Sequence, residues 1–193
     1  MNIKKDGDGL EMRYIALLRG INVSGQKKIK MIDLKNLFES LGFKNVKTYI
    51  QSGNVIFDYD RIDIIKLANE IEKKISETFG FFVNTIIRTD EELSNIINNN
   101  PFVKEPNVEF DNLYVTFMLD IPEPSTVMFL DAKKEENEKL VIISKEIYLY
   151  CPNGYGRTKL NNVMVEKKLK TVATTRNWKT INNLLEISKQ DID

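Results

Sequence analysis

Between Arg13 and Arg88 the chain runs through one order of elements, and between Leu113 and Arg176 it runs through that order again. Arg13 to Leu18 is short, apolar and closed by Gly20, which predicts a buried strand. Leu34, Leu37, Phe38 and Leu41 then fall on one face of a helix. Gly42 ends that helix, because glycine accepts the left-handed position past a helix end. Val46 to Gln51 and Asn54 to Phe57 flank Ser52-Gly53, a hairpin with a tight turn. Ile64, Ala68, Ile71, Ile75 and Phe79 mark a second helix ended by Gly80, and Phe82 to Arg88 a further strand. The order β-α-β-β-α-β is the split β-α-β, ferredoxin-like pattern.

The second cycle has a strand at Leu113 to Leu119 and a helix from Ser125 to about Lys133. A hairpin follows, Lys139 to Ile143 and Glu146 to Cys151 across Ser144-Lys145. A helix from Thr158 to Leu169 and a short strand from Val172 to Arg176 complete it. Asn177 then caps a last helix that turns Trp178, Ile181, Leu184 and Leu185 inward. Between the cycles, Thr89-Asp90-Glu91-Glu92 starts a short helix with a capping hydroxyl and first-turn acids. Residues 101 to 112, with Pro101 and Pro106, read as a linker-like loop. The expected fold class is α+β, two ferredoxin-like halves in tandem. The expected divisions are an N-terminal extension at 1–12, a first half at 13–89, a helix and linker at 90–112, and a second half with its C-terminal helix at 113–193.

Composition narrows the chemistry more than it identifies it. The 193 residues include no histidine and one cysteine, Cys151. Ser-His-Asp and Cys-His catalysis are therefore excluded, and zinc sites lose their usual ligands. Cys151 has neither an activating histidine nor a resolving thiol, so it reads as an inert core residue. Asp58 and Asp60 lie close together but lack supporting ligands for a metal. No metal and no cofactor is expected. Lys+Arg and Asp+Glu both total 28, which argues against a protein built to coat nucleic acid. The signature of the RNA-recognition module is absent, so binding by a sheet face is disfavoured, while loop-mediated binding stays open. No apolar run approaches the ~20 residues of a membrane helix, and the start MNIKKDGDGLEM has no apolar signal core. The expected placement is cytoplasmic, and the oligomeric state is undetermined.

Three loops carry the polar residues worth following. Gly20-Ile-Asn-Val-Ser-Gly25 has the frame of a phosphate-cradling loop, but Gln26-Lys27-Lys28 replaces the lysine and hydroxyl that motif requires. A looser anion site remains, with Arg19, Asn22, Ser24 and Lys28 as contacts and the backbone of Gly20 and Gly25. Asn153 to Lys159 is its counterpart in the second cycle, offering Tyr155, Arg157 and Lys159 ahead of a helix start. Arg176 sits before Asn177-Trp178 with no structural task evident in the sequence. The functional expectation is a small anionic or phosphorylated ligand held between the halves by Arg19, Gly20, Asn22, Gly25, Lys28, Arg157, Lys159 and Arg176. The alternatives are an interaction module docking a protein or nucleic acid through the same loops, and loops that are structural only. Whether the chain is an enzyme stays open.

YIALLRGINVSG, TYIQSGNVIF, GYGRTKL and TTRNW, in this order and spacing, resemble the bacterial family called domain of unknown function 1697. The resemblance covers nearly all of the chain after Met12. It implies a small α+β protein of two ferredoxin-like halves and carries no established activity, so no catalytic residue transfers. Lys179 departs from the asparagine the family often has after the Asn-Trp pair.

Overall fold

The computed structural model describes residues 11–23 and 25–190. Ser24 and most of the expected N-terminal extension lie outside the described residues. The first half runs β1 (Glu11–Leu18), α1 (Met31–Ser40), β2 (Lys44–Tyr49), β3 (Asn54–Asp60), α2 (Ile64–Phe79) and β4 (Thr85–Thr89). After α3 (Asp90–Asn98) the second half runs β5 (Leu113–Met118), α4 (Pro124–Asp131), β6 (Lys139–Ile143), β7 (Glu146–Tyr150), α5 (Asn162–Leu169) and β8 (Ala173–Asn177). The chain closes with α6 (Trp178–Lys189). The strands form two four-stranded antiparallel sheets, ordered β2-β3-β1-β4 and β6-β7-β5-β8. The mixed α and β architecture of two similar halves is thus present.

The continuous apolar run of β1 is explained by burial of both its faces. Tyr14, Ala16 and Leu18 pack under α1 and α2, while Ile15 and Leu17 point the other way. That other face meets Val115, Phe117 and Tyr148 of the second sheet in a core shared by the two halves. Leu93 and Ile96 of α3 and Trp178, Ile181 and Leu184 of α6 belong to the same core. Met118, Leu149 and Ala173, on the far face of the second sheet, pack with Leu130 of α4 and Val165 of α5. The halves are therefore joined sheet to sheet, with the helical pairs outside.

Several boundaries differ from expectation for local reasons. β1 begins at Glu11, inside the expected extension, because β3 continues to Asp60 and supplies pairing partners for Glu11 and Met12. The first hairpin turns through four residues, since Tyr49 pairs with Asn54; Ile50 and Gly53 both take positive φ there. At Gly53 a Cβ would lie 2.7 Å from Ile21 and 2.8 Å from Leu18, so only glycine fits. The expected linker is packed in part: Phe102 is buried in the shared core, with Val103 and Val108 against it. α5 starts four residues later than expected. Asn161, not Thr158, supplies its cap to the Met164 N–H, while the Thr158 hydroxyl accepts from the Leu160 N–H in a preceding turn. The capping box of α3 forms as expected, with Thr89 and Glu92 exchanging hydrogen bonds.

Candidate functional site: two equivalent junctions between the halves

The hydrogen bonds themselves reveal an approximate twofold relation. The Leu18 N–H donates to Gly53 O as the Met118 N–H donates to Lys145 O, both at 2.8 Å. The Arg19 N–H donates to Asn84 O as the Leu119 N–H donates to Val172 O. Arg88 and Arg176 are each the fourth residue of the last strand of their half, opposite Ile15 and Val115 respectively. Each then crosses to the other sheet. Arg88 donates from Nε to Glu146 Oε1 at 2.9 Å and to Met118 O at 2.8 Å. Arg176 donates from Nε to Asn54 Oδ1 at 2.5 Å and to Leu18 O at 3.0 Å. Asn54 and Glu146 are themselves equivalent, each the first residue of its strand. The chain therefore contains two versions of one junction.

The junction around Arg176 gathers residues from all four motifs. Arg176 also donates to Thr174 Oγ1 and to the carbonyls of Ser52, Gly53 and Thr175. Its five N–H groups are thus met by neutral oxygens, with no carboxylate partner among the described residues. Burial, with Arg19 nearby, brings its pKa down to about 10, which leaves it charged at neutral pH. Arg19 makes a two-point contact with Glu166, at 3.0 and 3.2 Å. Tyr155 donates to or accepts from Thr175 at 2.9 Å, and Thr175 donates to Asn162 at 2.6 Å. Burial pushes the Tyr155 hydroxyl up, so it stays a neutral hydrogen-bonding group. Side-chain hydrogen bonds and an ion pair span this junction.

The expected ligand residues therefore separate. Arg176 ties the two halves together, with its donors bonded to the chain itself. Arg19 is neutralised by Glu166. Asn22 binds Ile29 N–H, Ile29 O and Gln51 O, which fixes the loop to the first hairpin and uses its amide. Gly20 and Gly25 take positive φ in that loop. Asn22, Gly25 and Lys28 line one open depression beside the start of α1, shared with Met31 and Gln51. Lys159 pairs with Glu135 at 2.8 Å, and Arg157 is exposed. The eight residues do not share one site. Cys151 is buried, and burial pushes its thiol up to about 12, consistent with an inert group. Asp58 is held by Arg13 and Asn45, and no three carboxylate or cysteine ligands cluster among the described residues.

The other junction is open. A cavity of about 500 Å³ lies between α2, α3 and β4 on one side and the end of β5 with the β6–β7 hairpin on the other. Its walls include Ile64, Ala68, Ile87, Ile96 and Tyr148, with Asn69, Asn84, Asn95 and Asn99 among them. The Arg88–Glu146 pair contributes to its lining, and burial pushes the Glu146 carboxyl up despite the arginine. Thr85 also lines the cavity; it is 2% exposed and its hydroxyl has no hydrogen-bond partner among the described residues. Glu72 accepts the Thr85 N–H at 2.7 Å and pairs with no cation among the described residues. Sequence reading missed this site. The available signal was the pairing of TIIRT with ATTRN, an arginine directly before the helix cap in each half.

Burial raises Glu72 above its ordinary 4.5, against the opposing Thr85 N–H. An acid raised in the folded state holds its proton more tightly there than in the unfolded chain. Its contribution to stability is fully present below the unfolded value and is lost as pH rises through the folded value. Glu72→Gln keeps the acceptor and removes the charge. Thermal melts of that variant are expected to match or exceed wild type at pH 7, with the gain absent below about pH 4.

A two-sheet α+β protein of two similar halves, with a cleft at one junction, is the class that fold and site define. Residues 12–148 match the family described as Protein of unknown function (DUF1697), and the chain belongs to that family. A conserved bacterial protein from Streptococcus pneumoniae has a similar structure, with TM-score 0.73 and 23% identity over 93% of this chain and 99% of that one. That likeness concerns the fold alone. A comparison with curated proteins finds no match. No helix among the described residues is long and apolar enough to cross a membrane.

Proposed function

We propose that this protein binds a small molecule in the cleft beside Arg88 and Glu146. The observation that carries this reading is a cavity of about 500 Å³ lined by Glu72, which has no cation partner among the described residues, and by Thr85, whose buried hydroxyl has no hydrogen-bond partner among them. A buried polar group without a partner costs free energy, and such groups persist where a ligand meets them. Apolar walls with a few convergent polar groups and a raised carboxyl are the usual make-up of a ligand pocket. The strand order, with both helices of each half on one face, supports reading the halves as ferredoxin-like. The single buried cysteine supports a cytoplasmic placement.

The anionic ligand expected from the basic loops keeps one specific support, away from this cleft. α1 begins after Lys30 with no side-chain cap, beside exposed Lys28 and Gly25, so its first N–H groups are open to an anion. Backbone amide NMR separates the two readings. A fragment set of cationic, neutral and anionic compounds is expected to shift the amides of Thr85, Leu119 and Glu146. Shifts confined to residues 25–33, driven by phosphate, would replace the cleft reading with the anion reading.

A further inference from the structure

The sealed junction shows what the open one lacks. Glu166 accepts the N–H of Ala173, the first residue of β8, as Glu72 accepts the N–H of Thr85, the first residue of β4. Beside Glu166 stands the Arg19 guanidinium, bound at two points. The backbone position equivalent to Arg19 is Leu119, and Leu119 lines the open cleft together with Glu72. The same carboxylate thus has a guanidinium partner in one copy and an aliphatic neighbour in the other. Where the sealed junction has Ala173, the open one has Thr85, whose buried hydroxyl has no hydrogen-bond partner among the described residues.

Charge and shape agree with this comparison. Arg88 and Glu146 cancel, and the remaining acidic and basic side chains of the cleft, apart from the neutral Tyr148 phenol, are Glu72, Glu92 and Asp120 against Lys145. That surplus of carboxylates repels an anion and attracts a cation. The mouth is apolar: Ile65, Leu119 and Ile143 are 65%, 37% and 41% exposed.

We propose that the open cleft takes a small molecule bearing a guanidinium group on an apolar body, the guanidinium lying against Glu72 as that of Arg19 lies against Glu166. The planar cation gives Glu72 a two-point contact. The apolar body covers Ile65, Leu119 and Ile143. This assignment rests on the cleft being a binding site, and the test separates the two.

The probes are n-butylguanidinium and its neutral isostere n-butylurea, titrated against the full chain and followed by backbone amide NMR. n-Butylguanidinium is expected to give saturable shifts at Thr85 and Leu119 and to bind at least tenfold tighter than n-butylurea. Glu72→Gln is expected to abolish that preference. Leu119→Arg, which places the chain's own guanidinium beside Glu72 from a partly exposed position, is expected to block both probes. Equal affinity for the two probes, or a preference retained in Glu72→Gln, overturns the guanidinium assignment and leaves the cleft as a site. Absence of cleft shifts with either probe and with the wider fragment set overturns both readings.

Discussion

Arg176→Met is expected to destabilise the protein by on the order of 4 kcal/mol, because charged hydrogen bonds are lost and buried carbonyls are left without donors. The side chain is 7% exposed and ties Leu18, Ser52, Gly53 and Asn54 of the first half to β8 of the second. Methionine fills much of the volume but satisfies none of these oxygens. Arg176→Lys is expected to recover little, since one ammonium cannot reach the spread of acceptors that a planar fork reaches. No carboxylate is stranded by the change, so the loss measured by denaturant unfolding is expected to be level between about pH 5 and 8. A loss below about 1 kcal/mol would show that the junction holds without its arginine.

Arg88→Met tests the equivalent tie and is expected to behave differently with pH. It leaves Glu146 buried without its cation, at a cost of about 3–5 kcal/mol near neutral pH. Burial already pushes Glu146 up with the arginine in place. Removing the arginine pushes it further, so the folded state favours the protonated acid. The sign follows: stability falls as pH rises through the folded value and is regained as pH falls below it. Arg88→Met with Glu146→Gln is expected to recover more than half of the loss, as no charge is then stranded. A loss independent of pH, or no recovery in the double variant, would contradict this account of the pair.

The two variants differ because Asn54 stands where Glu146 stands in the other half. That difference also separates what was legible in the sequence from what was not. The order of elements followed from local signals: period-2 and period-3.6 apolar spacing, Gly42 and Gly80 past helix ends, and the Thr89 capping box. The duplication was visible in that order. Partners that lie far apart in sequence were not. Arg19 meets Glu166, 147 positions away, because the two sheets face one another, and no local pattern records that approach. Arg176 was expected to meet an anionic ligand. It found backbone carbonyls that converge only when the β1 exit and the first hairpin turn are brought together.

The open cleft was hidden for the same reason. Glu72 reads as one acid on an amphipathic helix, and Thr85 as one residue of an apolar strand. Their pairing, and the cavity beside them, arise from α2 lying across the start of β4 with the second half closing over it. The basic loops drew attention because charge and glycine are conspicuous in a sequence. In the fold their charges are mostly taken by the chain, as with Arg19 and Glu166 or Lys159 and Glu135. An unpartnered hydroxyl has no signature until its neighbours are known.

On this reading one junction is closed by the chain's own guanidinium and the other accepts one from outside. A crystal structure grown with n-butylguanidinium tests it most directly. The expected result is a planar cation against the Glu72 carboxylate, its alkyl chain over Leu119, superposing on Arg19 beside Glu166 when one half is rotated onto the other. A cleft closed by its own side chains, or the cation bound elsewhere with Glu72 and Thr85 untouched, would contradict it.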